Sequence, residues 1–249
     1  MTQAVLLPRV ETFQAKLVEA HDVTPRVREF VFERLDGAPF TFKSGQWVSL
    51  VLPLLDARDR PLRRSYSLAS VPGDSSRFEL LITRVDDGAA SAWLHQAPPG
   101  TVLDVKGPQG TFARDLDAGP SLFVATGTGV APFRGFVHDA LKAGRTEPLW
   151  VLFGVRTVDD ALYLREFEAL QQQHAYVRFI PTLSRANDAW AGRTGYVQKH
   201  VLELWNELSL HGTPHVYICG VKKMLTEVRE LLKTHAGLER HQLHLESYD

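Results

Sequence analysis

Thr126-Gly127-Thr128-Gly129-Val130-Ala131-Pro132-Phe133 is the stretch on which the fold turns. An apolar run, residues 122–125, leads directly into it, and an amphipathic segment, residues 132–141, leads out. Pro132 falls where a first helical turn tolerates a missing N–H. Strand, glycine turn and helix in that order open a βαβ unit. Glycines at such a turn let the backbone approach a phosphate, and the free N–H groups and positive dipole end of the helix favour an anion. The same letters also suit a plain tight turn, so the surrounding pattern has to decide.

Toward the C-terminus the pattern continues. Apolar runs at 149–153, 176–181, 216–219 and 242–245 read as strands, alternating with helix-length amphipathic segments at 160–172, 196–208 and 222–235. Such alternation predicts a parallel, doubly wound sheet. Toward the N-terminus the period changes. Residues 10–113 hold short β-branched and aromatic runs, including 28–33, 46–52, 78–85 and 102–106, separated by Gly, Pro and Asp, with one short helix expected at 90–95. That half reads as an antiparallel β-barrel or sandwich. Residues 115–120 read as the linker, giving two domains, 1–115 and 120–249. A chain of 249 residues suits that division.

Composition narrows the function. A net charge of −1 gives no electrostatic case for nucleic acid. The longest apolar runs fall far short of the roughly 20 residues of a membrane span. Residues 1–9 show no charged leader followed by a long apolar stretch, so a cytoplasmic protein is expected. One cysteine, Cys219, excludes an internal disulfide and a four-cysteine iron–sulfur cluster in this chain. The histidines form no metal or triad constellation: His241 and His244, three apart on an expected strand, point to opposite faces. No metal is expected, and no Gly-x-Ser-x-Gly or Ser-x-x-Lys nucleophile motif appears.

Two further segments carry chemistry. Arg64-Ser65-Tyr66-Ser67, expected at the start of a barrel strand, joins a guanidinium fork suited to pyrophosphate with an aromatic face, although an Arg beside a Tyr is also ordinary strand surface. Gly88-Ala89-Ala90-Ser91 offers backbone donors and a hydroxyl at a helix start, an anion site or a simple N-cap.

These pieces in this order, followed by Leu103-Asp104-Val105-Lys106-Gly107-Pro108-Gln109-Gly110-Thr111-Phe112, closely resemble the ferredoxin–NADP reductase superfamily over nearly the whole chain. The resemblance implies an antiparallel β-barrel FAD-binding domain followed by an α/β doubly wound, parallel-sheet NAD(P)-binding domain. It implies that Arg64 and Ser91 hold the flavin pyrophosphate, that Tyr66 stacks on the isoalloxazine, and that Ser67 faces its N5 edge. Ser65, Thr83, Val85, Gly88, Ala89, Ala90 and Thr126 complete the implied FAD set. Gly127, Thr128, Gly129 and Pro132 would receive the dinucleotide. Thr182-Leu183-Ser184-Arg185 and Gly192-Arg193-Thr194-Gly195-Tyr196 look like the site of its adenosine end. Ser184, Arg185 and Arg193 suit a 2′-phosphate and Tyr196 suits adenine, which favours NADPH over NADH.

Val216-Tyr217-Ile218-Cys219-Gly220 resembles the family's strand whose cysteine lies beside the nicotinamide; the alternative is a small buried hydrophobe. Leu245-Glu246-Ser247-Tyr248 resembles the ending in which a terminal tyrosine covers the flavin and a glutamate polarises the site; the alternative is a frayed tail. Asp249 departs from that ending. Ser67, Cys219, Glu246 and Tyr248 are thus the implied catalytic set. The implied activity is hydride transfer from NADPH to FAD, then single-electron delivery to a separate ferredoxin or flavodoxin by a monomeric enzyme. Arg63, Lys222 and Lys223 would meet the acidic carrier, or serve as ordinary solvated surface. Two rival readings stand beside it: the reductase component of an oxygenase or a flavin reductase, and a flavin-binding electron-transfer or sensory subunit without NAD(P)H turnover.

Overall fold

The computed structural model describes residues 9–248. Asp249 and most of the segment read for a leader lie outside that range. Two compact units appear, Met1–Ala113 with Arg134–Phe136, and Arg114–Phe133 with Val137–Asp249.

The first unit is built on six strands: β1 (Glu11–Asp22), β2 (Val27–Arg34), β3 (Trp47–Leu55), β4 (Pro61–Ser67), β5 (Arg77–Thr83) and β6 (Val102–Gln109). They pair in the order β4-β3-β6-β1-β2-β5, antiparallel throughout. Alternation drives the pairing: Phe13, Ala15 and Leu17 of β1 and Val48, Leu50 and Leu52 of β3 are buried while their neighbours are less so. These residues join Phe30, Phe32, Phe40, Phe78 and Leu80 in one core. A bridge between Leu68 and Leu80 ties the β4 edge to the β5 edge, so the sheet closes on itself as a barrel. Helix α1 (Ala89–Gln96) packs Leu94 into the same core.

The second unit holds β7 (Ser121–Thr126), β8 (Leu149–Val155), β9 (Val177–Leu183), β10 (Arg193–Thr194), β11 (His215–Gly220) and β12 (Leu243–Ser247), all parallel, in the order β10-β9-β8-β7-β11-β12. Continuous burial of residues 121–125 and 149–153 is what a sheet covered on both faces requires. The helices are α2 (Ala131–Lys142), α3 (Leu164–Gln173), α4 (Val201–Leu208) and α5 (Lys222–Ala236). On one face Leu122, Val124, Leu152 and Ile218 meet Leu204 and Trp205 of α4 and Val228 and Leu232 of α5. On the other, Phe123 stacks on Phe133 at the start of α2, and Phe179 on Phe167 of α3. The chain builds outward from β7 through β8 to β9, then returns to β11 on β7's other side. This reversal creates a crevice at the carboxyl ends of β7 and β11. No helix among the described residues is long and apolar enough to cross a membrane.

Four expectations shift. Arg64–Ser67 ends β4 rather than starting it, because the preceding Pro61–Arg63 already pairs with β3. The helix expected from 160 begins at Leu164: Asp160 accepts hydrogen bonds from the Arg156 and Thr157 side chains, and Tyr163 adopts φ 56° before α3 starts. The helix expected over 196–208 is a 3-10 turn, Val197–Lys199, then α4. The break is at His200, whose buried ring is hydrogen-bonded to the Thr194 carbonyl. His241 lies in a 3-10 turn, Arg240–Gln242, before β12, so the strand argument separating it from His244 does not apply; its ring centroid is 6.1 Å from that of His215, which is hydrogen-bonded to His244.

Candidate flavin and dinucleotide sites

In the first unit the register pairs Leu50 with Arg64, Ser49 with Ser65, Val48 with Tyr66 and Trp47 with Ser67. Strand alternation therefore sets Arg64 and Tyr66 on one face, Ser65 and Ser67 on the other. The two serine hydroxyls of Ser49 and Ser65 meet at 3.2 Å. Arg64 is exposed, and its guanidinium donates to the Arg63 carbonyl at 2.8 Å, leaving donors for an anion. Tyr66 packs against the core, and burial pushes its hydroxyl up to about 12, so it stays neutral. Thr83 ends β5 opposite Val27, and Val85 is exposed.

The Ser91 side chain turns inward. Its hydroxyl is buried inside the turn, accepting the Val85 N–H and donating to the Gly88 carbonyl, both at 3.0 Å. It does not cap α1. Gly88 is the N-cap, with no side-chain capping bond, so the backbone N–H groups of Ala89, Ala90 and Ser91 are what this turn offers an anion.

In the second unit the crevice is lined by the residues singled out from sequence. Thr126 closes β7, Gly127–Val130 forms a 3-10 turn, and α2 follows with Pro132 in its first turn and no side-chain cap. Gly127 has φ +54°, a left-handed conformation that disfavours other residues, and open space where a side chain would project. Gly129 presses on β11: a Cβ there would collide with the Cys219 carbonyl. The Thr126 Oγ1 atom is buried without a hydrogen-bond partner. An uncapped turn, an open left-handed glycine and an orphaned hydroxyl at a switch point fit a phosphate-bearing ligand.

Cys219, fully buried, and Gly220 end β11 beside this turn. Burial, and then the Glu246 carboxylate, push the Cys219 thiol well above its ordinary range, so it is a neutral, polarisable wall rather than a thiolate nucleophile. Glu246 pairs opposite Cys219 on β12. Tyr248 follows: its N–H donates to the Gly220 carbonyl and its hydroxyl to the Thr128 carbonyl, both at 3.1 Å. The tail is therefore ordered against the glycine turn.

Farther along the same carboxyl edge, Ser184 and Arg185 follow β9, and Arg193 lies on β10 opposite Thr182. Arg185 and Tyr196 are exposed. Arg193 is not free: its two terminal nitrogens donate to both Glu203 oxygens at 2.7 and 2.8 Å, and one also reaches His200 Nδ1 at 3.1 Å. Sequence reading missed Glu203 and His200 because nothing local marks a helix residue ten positions on as the partner of a turn arginine. Of the proposed docking cations, Lys223 is 3.9 Å from Glu227.

Residues 14–113 match the family model described as an oxidoreductase FAD-binding domain, and residues 123–230 the one described as an oxidoreductase NAD-binding domain. The chain is 47% identical over 245 residues to ferredoxin–NADP reductase B of Sorangium cellulosum, covering 97% of this chain and 99% of that protein. The chain belongs to the ferredoxin–NADP reductase superfamily. It is an oxidoreductase of that family, with the antiparallel and parallel domain types expected from sequence. The family reaches into oxygenase systems as well: the phenol hydroxylase P5 protein of Acinetobacter pittii is 30% identical over 244 residues, of which this chain spans 66% of the length. Among solved structures, an Amycolatopsis cytochrome P450 reductase aligns with a TM-score of 0.85 at 26% identity, covering 98% of this chain and 71% of that one.

Proposed function

We propose that this oxidoreductase takes a hydride from NADPH onto FAD and passes electrons singly to a separate ferredoxin or flavodoxin, with residues 1–115 binding FAD and 120–249 binding the dinucleotide. The observation that carries the reading is the Thr126–Val130 turn, with its open Gly127, orphaned Thr126 hydroxyl and uncapped helix, set against Cys219 and Gly220. The full-length similarity to a ferredoxin–NADP reductase supports the choice of carrier.

Bound FAD would accept a hydride and release single electrons, chemistry no side chain here supplies. The chain's part is to bind and orient. Arg64 and the amides of residues 89–91 hold the flavin pyrophosphate, Tyr66 offers its ring to the isoalloxazine, and Ser67 faces the N5 edge. Gly127, Thr128, Gly129 and Pro132 receive the dinucleotide, Ser184, Arg185 and Arg193 its 2′-phosphate, and Tyr196 its adenine. Cys219 and Glu246 border the nicotinamide, and Tyr248 must leave the Thr128 carbonyl before the ring enters.

The similarity to a phenol hydroxylase component favours one second reading, a reductase feeding an oxygenase. Mixing the NADPH-reduced protein with oxidised ferredoxin or flavodoxin separates the two. Rapid one-electron reoxidation by either carrier is expected; reoxidation only by an oxygenase component would select the second reading.

A further inference from the structure

Arg193 carries five N–H donors in a planar fork. Glu203 takes one from each terminal nitrogen, at 2.7 and 2.8 Å, and His200 Nδ1 takes a third at 3.1 Å. The paired face that would grip a phosphate is thus already occupied by a carboxylate in the same bidentate geometry. His200 adds no compensating charge. Its Nδ1 accepts from Arg193 and its Nε2 lies 3.0 Å from the Thr194 carbonyl, the pattern of a neutral ring, and burial followed by the Arg193 charge lowers its pKa. Arg193 and Glu203 cancel, so the cations left to this segment are the exposed Arg185 and Lys199, whose charge is felt at His200. A 2′-phosphate arriving here must displace Glu203 or sit beside it, and NADH meets no such obstacle.

We infer that Glu203 is a specificity-setting residue: by clamping Arg193 it weakens the site's grip on a 2′-phosphate and keeps NADH a competent donor beside NADPH. This rests on reading Ser184, Arg185, Arg193 and Tyr196 as the adenosine end of the dinucleotide site. Glu203 acts through Arg193, as a positioning residue, so its removal moves selectivity rather than the chemical step. Glu203→Gln keeps one acceptor for the guanidinium and removes the competing charge; Glu203→Ala removes both from an exposed helix position.

The test uses the FAD-loaded full-length protein and two probes, adenosine 2′-monophosphate and adenosine 5′-monophosphate, with kcat/KM for NADPH and NADH in parallel. In Glu203→Gln and Glu203→Ala the 2′-isomer should bind about fivefold tighter relative to the 5′-isomer, the gain expected for releasing an exposed ion pair. The NADPH/NADH ratio of kcat/KM should rise by the same factor through KM, and the gain should vanish when Arg193→Ala is added. If Arg193→Ala alone weakens the 2′-isomer but neither Glu203 variant shifts the ratio, the clamp is overturned and the adenosine site stands. If Arg193→Ala changes affinity for neither probe, the site reading itself fails, and the clamp with it.

Discussion

The Tyr248 hydroxyl donates to the carbonyl of Thr128, 120 residues earlier in the chain, at 3.1 Å. The bond pins the tail over the glycine turn; on the proposed reading of that turn, tail and nicotinamide would compete for one place. Tyr248→Phe keeps the ring and removes the donor, which is worth about 1 kcal/mol. NADP+ should then bind about fivefold tighter in a flavin difference-spectrum titration. An unchanged affinity would show that the tail is no obstacle.

Gly127 and Gly129 separate ligand approach from packing. Gly129→Ala drives a methyl into the Cys219 carbonyl, which as backbone cannot yield, and should cost about 1–3 kcal/mol of stability. Gly127→Ala meets no protein atom within 4 Å but holds alanine at φ +54°, a strain of about 1–2 kcal/mol. Its methyl fills the space left for a ligand, so dinucleotide affinity should fall about tenfold, more than its thermal unfolding shift alone explains. Wild-type affinity in Gly127→Ala would contradict the assignment of the turn.

Arg64 bonds within the protein to its neighbour's carbonyl, so its removal should leave the barrel intact. Hydrogen bonds to a charged pyrophosphate are worth about 1.5–3 kcal/mol. Arg64→Ala should therefore weaken FAD about 10- to 100-fold in a fluorescence titration, with apoprotein melting unchanged. Equal loss of apoprotein stability would make Arg64 a structural residue.

Burial holds His200, His215 and His244 below the ordinary histidine value, and His215 is hydrogen-bonded to His244 at 3.1 Å. A lowered folded-state value means the unfolded chain takes up more protons, so this stabilisation is complete above about pH 6.5 and lost as pH falls toward the folded values. Glu29, raised by burial, works in the opposite direction. Melting temperature should fall between pH 7 and 5, and His244→Gln should flatten the slope. A slope indifferent to His244→Gln would remove the pair from the account.

Much of this was legible because it is local. Alternation at Val48, Leu50 and Leu52 and the unbroken run 122–125 each fix a sheet type on their own. The Gly127–Gly129 turn could be placed from its flanks. What escaped depends on side-chain contacts six to ten residues apart, which neither the helix nor the strand period marks. The Val85 amide takes the Ser91 hydroxyl expected to face a ligand; the Glu203 carboxylate takes the Arg193 fork expected to face a phosphate; the His200 ring, drawn to Thr194, splits a helix that reads as continuous. Each is a polar side chain whose partner the spacing does not name.

The central claim is hydride transfer from a nicotinamide dinucleotide to bound FAD, and its most direct test is anaerobic mixing of the FAD-loaded protein with NADPH, and separately with NADH, while flavin absorbance is followed. The account predicts rapid bleaching by NADPH and slower but measurable bleaching by NADH. Bleaching by neither would contradict it.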